Sequence, residues 1–112
     1  MVQFDPAVLD RSFGALADPT RRAILLRLGR SEASLGELAG GFDMTLTGLK
    51  KHVGVLESAG LVTTEKVGRV RHCRLGPHRL EDVTGWLTSY RTQLEQRLDR
   101  LEEFLERTKG DP

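Results

Sequence analysis

The sequence predicts a mainly α-helical domain with one small β-hairpin, in the order α-α-α-α-β-β-α. Apolar residues recur at spacings of three and four along most of the 112 residues, which is the helical pattern. Only the stretch between Gly60 and Gly76 alternates with a period of two and is rich in Val and Thr. A glycine ends a short helix directly before that stretch, so a helix and a hairpin are neighbours in the chain.

Two short helices open the chain. Pro6 suits the first position of a helix whose apolar residues, at helical spacing, are Leu9, Phe13 and Leu16. Asp18 is the predicted N-cap of the second helix, with Pro19 at its first position and Gly29 at its end. The apolar face of the second helix is predicted to contain Ile24, Leu25 and Leu28.

Two further helices follow. Ser34 and Glu37 form a capping box, S-x-x-E, that opens a third helix, and Gly40-Gly41 ends it early. Thr45 is the predicted N-cap of the fourth helix, and Gly60 lies where a left-handed terminator belongs. The inward stripe of the fourth helix is predicted to be Leu46, Leu49, Val53 and Leu56.

A hairpin and a long helix complete the domain. The strands are predicted at 61–66 and 70–75, with Gly68 in the turn and Gly76-Pro77 as the break. A last helix is predicted at about 78–107. We expect its apolar residues from Leu80 to Tyr90 to serve mostly the core of the protomer.

The length of the last helix predicts an assembly. About 30 helical residues make a rod of about 45 Å, longer than a compact body of 75 residues can cover. We therefore expect a homodimer formed through the first helix, about 5–16, and the last, about 78–107. The predicted interface residues are Leu9, Phe13, Leu94, Leu98, Leu101 and Leu105.

Composition bounds the function. The chain, 1–112, is expected to be a single domain. It has no apolar run of the ~18 residues that a membrane span needs, and MVQFDPAVLD lacks the features of an export signal. We expect a cytoplasmic protein that does not contact membranes, and its one cysteine excludes an internal disulfide. No phosphate-binding glycine loop or nucleophile elbow is present, so neither enzymatic activity nor a cofactor is expected.

Positive charge is concentrated in one segment. Residues 45–74 hold six Lys and Arg against two acids, a balance of +4 in a chain whose net charge is +1. A near-neutral protein that gathers its cations in one motif is typical of phosphate binding. We predict a DNA-reading part at 34–75. Its candidate contact residues are Thr45, Thr47, Gly48, Lys50, Lys51, His52, Lys66, Arg69 and Arg71.

The fourth helix and the hairpin are expected to act differently. Lys50 and Lys51 would supply phosphate or guanine contacts, and the hairpin cations would follow the backbone or reach the minor groove. Glycine costs about 1 kcal/mol relative to alanine inside a helix. The alternative to clearance for DNA is that these glycines ease packing against the third helix or are neutral. We interpret Gly48 as clearance and leave Gly54 open between the two. His52 either binds a phosphate or braces the helix against the core.

Five motifs carry a family resemblance. DPTRRAIL at 18–25, GELA at 36–39, TLTGLKKHV at 45–53, VLESAGLV at 55–62 and GRVRHCRL at 68–75 resemble the ArsR-type winged helix-turn-helix repressors. The resemblance implies a homodimer that represses a promoter by binding a palindromic operator in double-stranded DNA, with half-sites about one duplex turn apart. It also implies that the fourth helix enters the major groove beside a backbone-contacting wing. Lys50 replaces a usual small polar residue, and Cys73 replaces a frequent aromatic one.

Metal sensing, for which the family is best known, is not expected. No cysteine occurs at 35–38 and no histidine at 79–107, where the family's metal sites lie. The remaining candidates are His72, Cys73 and His78, and the first two point to opposite faces of a strand. A redox switch on the lone Cys73 is not favoured either.

Two alternatives and one open question remain beside the repressor hypothesis. One alternative is a metal-sensing repressor; the other is a winged helix used for protein contact, which the basic residues Arg69, Arg71 and Arg74 argue against. The sequence leaves open whether a small-molecule effector exists. If one does, the interface around Trp86, Tyr90 and the first helix offers aromatic surface for it.

Overall fold

The computed structural model describes residues 4–78 and 80–109 and places five helices and three strands in them. The parts of the predicted domain 1–112 and of the predicted last helix that fall on the other positions lie outside the described residues. The predicted α-α-α-α-β-β-α order is confirmed, with one unpredicted strand added. In chain order the elements are α1 (Pro6–Leu16), α2 (Pro19–Leu28), β1 (Ala33–Ser34), α3 (Leu35–Gly41), α4 (Leu46–Ser58), β2 (Val62–Val67), β3 (Val70–Leu75) and α5 (Glu81–Lys109).

Side-chain caps start the first four helices. Asp18 accepts the N–H groups of Thr20 and Arg21 at 2.7 and 3.1 Å, as its predicted N-cap role requires. Ser34 and Glu37 form the predicted capping box at the start of α3. Thr45 caps α4 as predicted, and Asp5, for which no role was predicted, caps α1. Local sequence therefore fixes where these helices begin.

The three strands form one antiparallel sheet in the order β1-β3-β2. In the hairpin, Val67 pairs with Val70 across Gly68 and Arg69, and Gly68 has a φ of +64°. A glycine with positive φ at the first central position is the requirement of a type II′ turn. β2 begins at Val62 rather than at the predicted residue 61. The two-residue strand β1 pairs Ala33 with Cys73, and it is too short to leave a period-two pattern in the sequence.

The core lies between α4 and the other elements. Leu49 and Leu56 are fully buried and Val53 is nearly so, as predicted for the inward stripe of α4. The prediction for Leu46 is wrong, because its side chain is 45% exposed. Leu46 is the first residue of α4, and a helical side chain leans toward the N-terminus of its helix, which here carries it past the edge of the core.

The last helix begins later and leaves the body sooner than predicted. Leu80 precedes it with a φ of +68°, which a right-handed helix cannot contain, so α5 starts at Glu81 and not at 78. Val83 is buried, but Leu87 and Tyr90 are 49% and 54% exposed, so the expectation that they serve the protomer core is wrong. The protomer measures 78 × 29 × 21 Å, because the outer part of α5 extends beyond the other elements.

No helix within residues 4–78 and 80–109 combines the length and the apolar character that crossing a bilayer requires.

Gly60 and Gly68 allow a matched test of what each left-handed position contributes. Both have positive φ, which costs about 1 kcal/mol for a residue with a Cβ. A Cβ on Gly60 would overlap the ring of His78, whereas nothing lies within 4 Å of one on Gly68. Gly68→Ala should lower the free energy of unfolding in urea by about 1 kcal/mol and Gly60→Ala by roughly 1 kcal/mol more. His78→Ala should remove the difference; equal losses in the native background would contradict the contact.

Two capping carboxylates predict acid sensitivity. The backbone N–H of Arg21 is the main cause that lowers the pKa of Asp18, and the backbone N–H of Ser34 lowers that of Glu37. Groups with depressed pKa stabilise the fold above their unfolded pKa of about 4, and that stability is lost as pH falls through the folded value. We expect the free energy of unfolding to decline from about pH 5 to about pH 3. Asp18→Asn with Glu37→Gln should flatten this decline, whereas Glu106→Gln, at an exposed α5 position, should not.

Candidate nucleic-acid interface

A basic groove lies between the start of α3, the start of α4 and the wing, which is the β2–β3 hairpin. This concavity has a volume of about 510 Å³. The described residues that line it include four cations and no acidic residue. Three of the four come from the wing and one from α4, so the fold brings together residues that are up to 21 positions apart in the sequence. The four cations are Lys50, Lys66, Arg69 and Arg71.

Helix α4 presents a polar face opposite its buried stripe. Thr47, Lys50 and Lys51 are all exposed. Within residues 4–78 and 80–109, neither lysine makes an ion pair. Thr45 Oγ1 accepts the N–H of Gly48 at 3.1 Å, which leaves its hydroxyl hydrogen able to donate to a phosphate. The predicted contact residues of α4 are thus solvent-accessible, apart from Gly48 and His52, which are half-buried.

Strand alternation separates the cations of the wing. Arg71 lies on the same face of β3 as the buried Cys73, which faces the core, and Lys66 pairs with Arg71 across the hairpin. Arg74 lies on the opposite face and forms an ion pair with Glu65 at 3.7 Å. Lys66 and Arg71 line the groove and Arg74 does not, so Arg74 adds to the charge count of the segment but not to the groove.

A hydrogen-bonded chain connects the wing to α4. Glu57 Oε2 accepts from the hydroxyl of Thr64 at 2.7 Å and from its backbone N–H at 3.3 Å. Arg71 donates from its guanidinium to Thr64 Oγ1 at 2.9 Å. Glu57 and Thr64 therefore help to set the position of Arg71 beside the groove. Neither residue was predicted to belong to the site, because a pair seven positions apart on a helix and a strand has no local signature in the sequence.

His52 contacts another helix in this protomer. Its Nδ1 lies 3.4 Å from a guanidinium nitrogen of Arg21, and it accepts there because a guanidinium can only donate. The same guanidinium donates to the backbone carbonyls of Ala15 and Gly14 at 2.8 and 3.0 Å. Of the two roles left open for His52, this geometry corresponds to bracing α4 against the corner between α1 and α2.

The two glycines of α4 have different surroundings. A Cβ on Gly48 would lie 3.2 Å from Thr45 Oγ1, closer than most real contacts of that kind. Nothing lies within 4 Å of a Cβ on Gly54. Crowding of the N-cap therefore gives Gly48 a local explanation in addition to clearance for DNA, and Gly54 has no intramolecular one.

The metal-ligand candidates are not brought together. His72 and Cys73 lie on opposite faces of β3, and His78 packs against Gly60. Within residues 4–78 and 80–109, no three His, Cys, Asp or Glu side chains are grouped so that they could hold a metal ion. Burial, with Glu57 second, raises the pKa of the Cys73 thiol, which disfavours the reactive thiolate.

Five of the six predicted interface residues lie on an exposed apolar face, and the sixth, Leu9, is half-buried. Phe13 of α1 packs edge-to-face on Trp86 at 5.7 Å, and Trp86 stacks on Tyr90 at 5.5 Å. Beyond this aromatic cluster the apolar stripe continues along α5, where its large side chains are about half exposed. The exposed fractions of these large side chains lie between 44% and 55%: Leu94, Leu98, Leu101, Phe104 and Leu105.

Comparison with known proteins agrees with this geometry. A family model described as a helix-turn-helix domain matches residues 16–65. The HTH-type transcriptional regulator Rv2034 of Mycobacterium tuberculosis is 38% identical over 87 residues, which cover 78% of this chain and 75% of that protein.

Two solved structures extend the likeness to most of the chain. An ArsR family transcriptional regulator, RHA00566, is 44% identical with a TM-score of 0.78, over 85% of this chain and 97% of that one. The homodimeric winged helix-turn-helix DNA-binding domain Mb0332 of Mycobacterium bovis is 26% identical with a TM-score of 0.62, over 84% of each chain. The chain belongs to the ArsR-type winged helix-turn-helix transcriptional regulators.

Proposed function

We propose that this protein is a cytoplasmic transcriptional repressor that binds a palindromic operator in double-stranded DNA as a homodimer. The proposal is based on the basic groove, where Lys50 of α4 lies with Lys66, Arg69 and Arg71 of the wing and none of the described lining residues is acidic. A groove bounded by a helix and a hairpin, both cationic, is suited to DNA because the two elements can follow one backbone together.

Helix α4 would enter the major groove. Its exposed N-terminal half carries Thr47, Lys50 and Lys51, whose side chains can reach base edges or phosphates. Thr45 would donate its hydroxyl hydrogen to a phosphate while it caps the helix. The wing would follow the adjacent backbone through Lys66, Arg69 and Arg71.

His52 would act by positioning α4 rather than by contacting DNA. Its ring nitrogen accepts from Arg21, whose guanidinium is also tied to two carbonyls at the end of α1. Helix α4 is therefore held against the corner that leads from α1 to α2, and its outer face keeps a fixed orientation.

A second copy is the natural cover for the apolar stripe of α5. Leu94, Leu98, Leu101 and Leu105 repeat on one side of the helix and are about half exposed. The relative Mb0332 is a homodimer. Burial of this stripe in a two-fold dimer, with Leu9 and Phe13 of α1 at its edge, would hold two α4 helices at a fixed separation. A two-fold dimer requires a palindromic operator with half-sites about one turn, about 34 Å, apart.

The described residues support neither a protein-contact module nor a metal sensor. A protein-contact module would not need four unopposed cations in one groove. A metal sensor needs a cluster of ligands, and the candidate residues diverge.

Operator binding is tested with DNA from upstream of the gene in gel-shift titrations at several salt concentrations. Arg69→Gln should weaken binding to specific and unrelated DNA alike and reduce the slope of log K against log salt by about one unit per bound protomer. Arg74→Gln removes a cation from the opposite face of the same wing and should leave the slope nearly unchanged. Equal effects of the two substitutions would contradict the assignment of the groove, and failure of the native protein to bind at low salt would overturn the proposal.

Glycine substitutions test how closely α4 approaches the bases. Gly54→Ala places its methyl group in open space and should stabilise the fold by about 1 kcal/mol. Gly48→Ala gains less, because its Cβ crowds Thr45. If Gly48 provides clearance, Gly48→Ala should lower operator affinity at least tenfold while the free energy of unfolding changes little. Unchanged or tighter binding by Gly48→Ala would defeat the clearance hypothesis.

Paired substitutions on α5 test the dimer. Leu98→Glu with Leu101→Glu places four carboxylates in a two-fold interface, where desolvation and mutual repulsion oppose association. Analytical ultracentrifugation at micromolar concentration should report dimers for the native chain and monomers for the variant. Arg100→Glu, at an exposed neighbouring position off the stripe, is the control and should remain dimeric. A native chain that sediments as a folded monomer would contradict the dimer.

A further inference from the structure

An apolar cleft lies on α2; it shares no lining residue with the basic groove and contains none of the predicted interface residues. It is bounded by α2, by the ends of β2 and β3 nearest the core, and by residues that lead into α5. Its volume is about 700 Å³. Pockets that bind small molecules have volumes of about 300 to 1,000 Å³. Six leucines provide most of its wall: Leu16, Leu25, Leu26, Leu61, Leu75 and Leu80.

Leu26 is the least explained residue of this wall. Its side chain is 76% exposed, although the opposite side of α2 carries the buried residues Ile24 and Leu28. Leu75, across the cleft, is 40% exposed. Neither residue belongs to the stripe of α1 and α5 that a second copy would cover. A ligand in the cleft would remove apolar surface of both leucines from water, which is favourable in proportion to the area buried.

The charged residues among the described lining of the cleft have one sign. Arg22, Leu26 and Arg30 follow one another at four-residue spacing, so they lie along one side of α2 and its C-terminal end. No Asp or Glu is among the described residues that line the cleft, and both arginines are. Arg22 already donates to the carbonyl of Leu16 at 2.6 Å. The guanidinium of Arg30 makes no hydrogen bond or ion pair with the described residues.

From this combination we infer that the cleft binds an amphipathic monocarboxylate. The apolar tail lies on the leucines, and the carboxylate accepts hydrogen bonds from Arg30. A guanidinium suits a carboxylate because two parallel N–H groups can donate to its two oxygens. The apolar length of the wall requires a hydrocarbon body in the ligand and excludes small inorganic anions, which would leave the leucines in water.

The position of the cleft links it to DNA binding, a step that rests on the proposed function. Gly76, His78 and Leu80 in its wall form the connection from strand β3 of the wing to α5. This connection is tightly packed: the N–H of Gly76 donates to the carbonyl of Leu61 at 2.8 Å, and a Cβ on Gly76 would overlap Gly60. A ligand that contacts this connection would alter the angle between the DNA-reading part and α5.

The aromatic surface that the sequence suggested for an effector fits this ligand less well. The cleft between α1 and α5 is lined by Phe4, Leu9, Phe13 and Trp86, and the one charged residue among its described lining is the acid Asp10. A carboxylate would be repelled there, and the same residues lie on the face proposed for the second copy.

Isothermal titration calorimetry of the full chain with sodium decanoate, kept below its micelle concentration, tests the site. Saturable binding is expected, with a dissociation constant that rises at least tenfold for Arg30→Gln and for Leu26→Ser. Arg27→Gln changes the same helix outside this cleft and should bind as the native chain does. Decyltrimethylammonium, with the opposite charge on the same tail, should not bind. Absence of saturable decanoate binding, or native affinity in Arg30→Gln, would overturn the site.

A second measurement tests whether ligand binding in the cleft changes operator affinity. Operator affinity is titrated with and without saturating decanoate, and a change of fivefold or more that Arg30→Gln abolishes supports the link. Unchanged operator affinity with decanoate bound overturns the coupling and leaves the site standing. Because the calorimetry uses no DNA, a protein that fails to bind any operator would refute the proposed function without affecting the result for the cleft.

Discussion

Burial of the apolar stripe of α4 determines the orientation of the candidate DNA-reading surface. Leu49 and Leu56 are fully enclosed, and rotation of α4 about its axis would expose them at a cost of several kcal/mol. Because that side is fixed inward, the opposite side, with Lys50 and Lys51, must face solvent. The brace from His52 to Arg21 and the capping by Thr45 then fix the tilt and the start of the same helix. The orientation of the candidate reading surface follows from packing, not from its own charges.

The positions of the charged residues show why the charge count of a segment is only a coarse guide to its binding surface. Segment 45–74 holds two acids, and both interact with the wing. Glu57 accepts a hydrogen bond from Thr64, and Thr64 accepts one from Arg71. Glu65 forms an ion pair with Arg74 on the other face. One acid therefore helps to place a cation beside the groove, and the other offsets a cation that the groove does not use. The net balance of the segment understates how strongly the two faces of the hairpin differ.

Local signals predicted much of the fold, and distant contacts explain most of what was missed. The caps at Asp18, Ser34 and Thr45 and the positive φ of Gly60 were readable, because each depends on a few neighbouring residues. Strand β1 was not, since two residues carry no periodicity and exist as a strand only beside Cys73. Of the candidate site, exposure of the lysines and wing arginines followed from periodicity. The partners of His52 and Arg71 come from other elements, so their geometry needed the folded chain.

The length of α5 connects these local facts to assembly. A helix of 29 residues spans about 43 Å, and only its first turns reach the body, where Val83 is buried and Trp86 meets Phe13. An apolar stripe exposed over the remaining turns is unfavourable in water, so the protomer is unlike an ordinary monomeric domain. The same helix begins at the connection that closes the α2 cleft, through Leu80. A change of backbone angle at that connection would therefore displace the far end of α5, which carries the surface that a second copy would share.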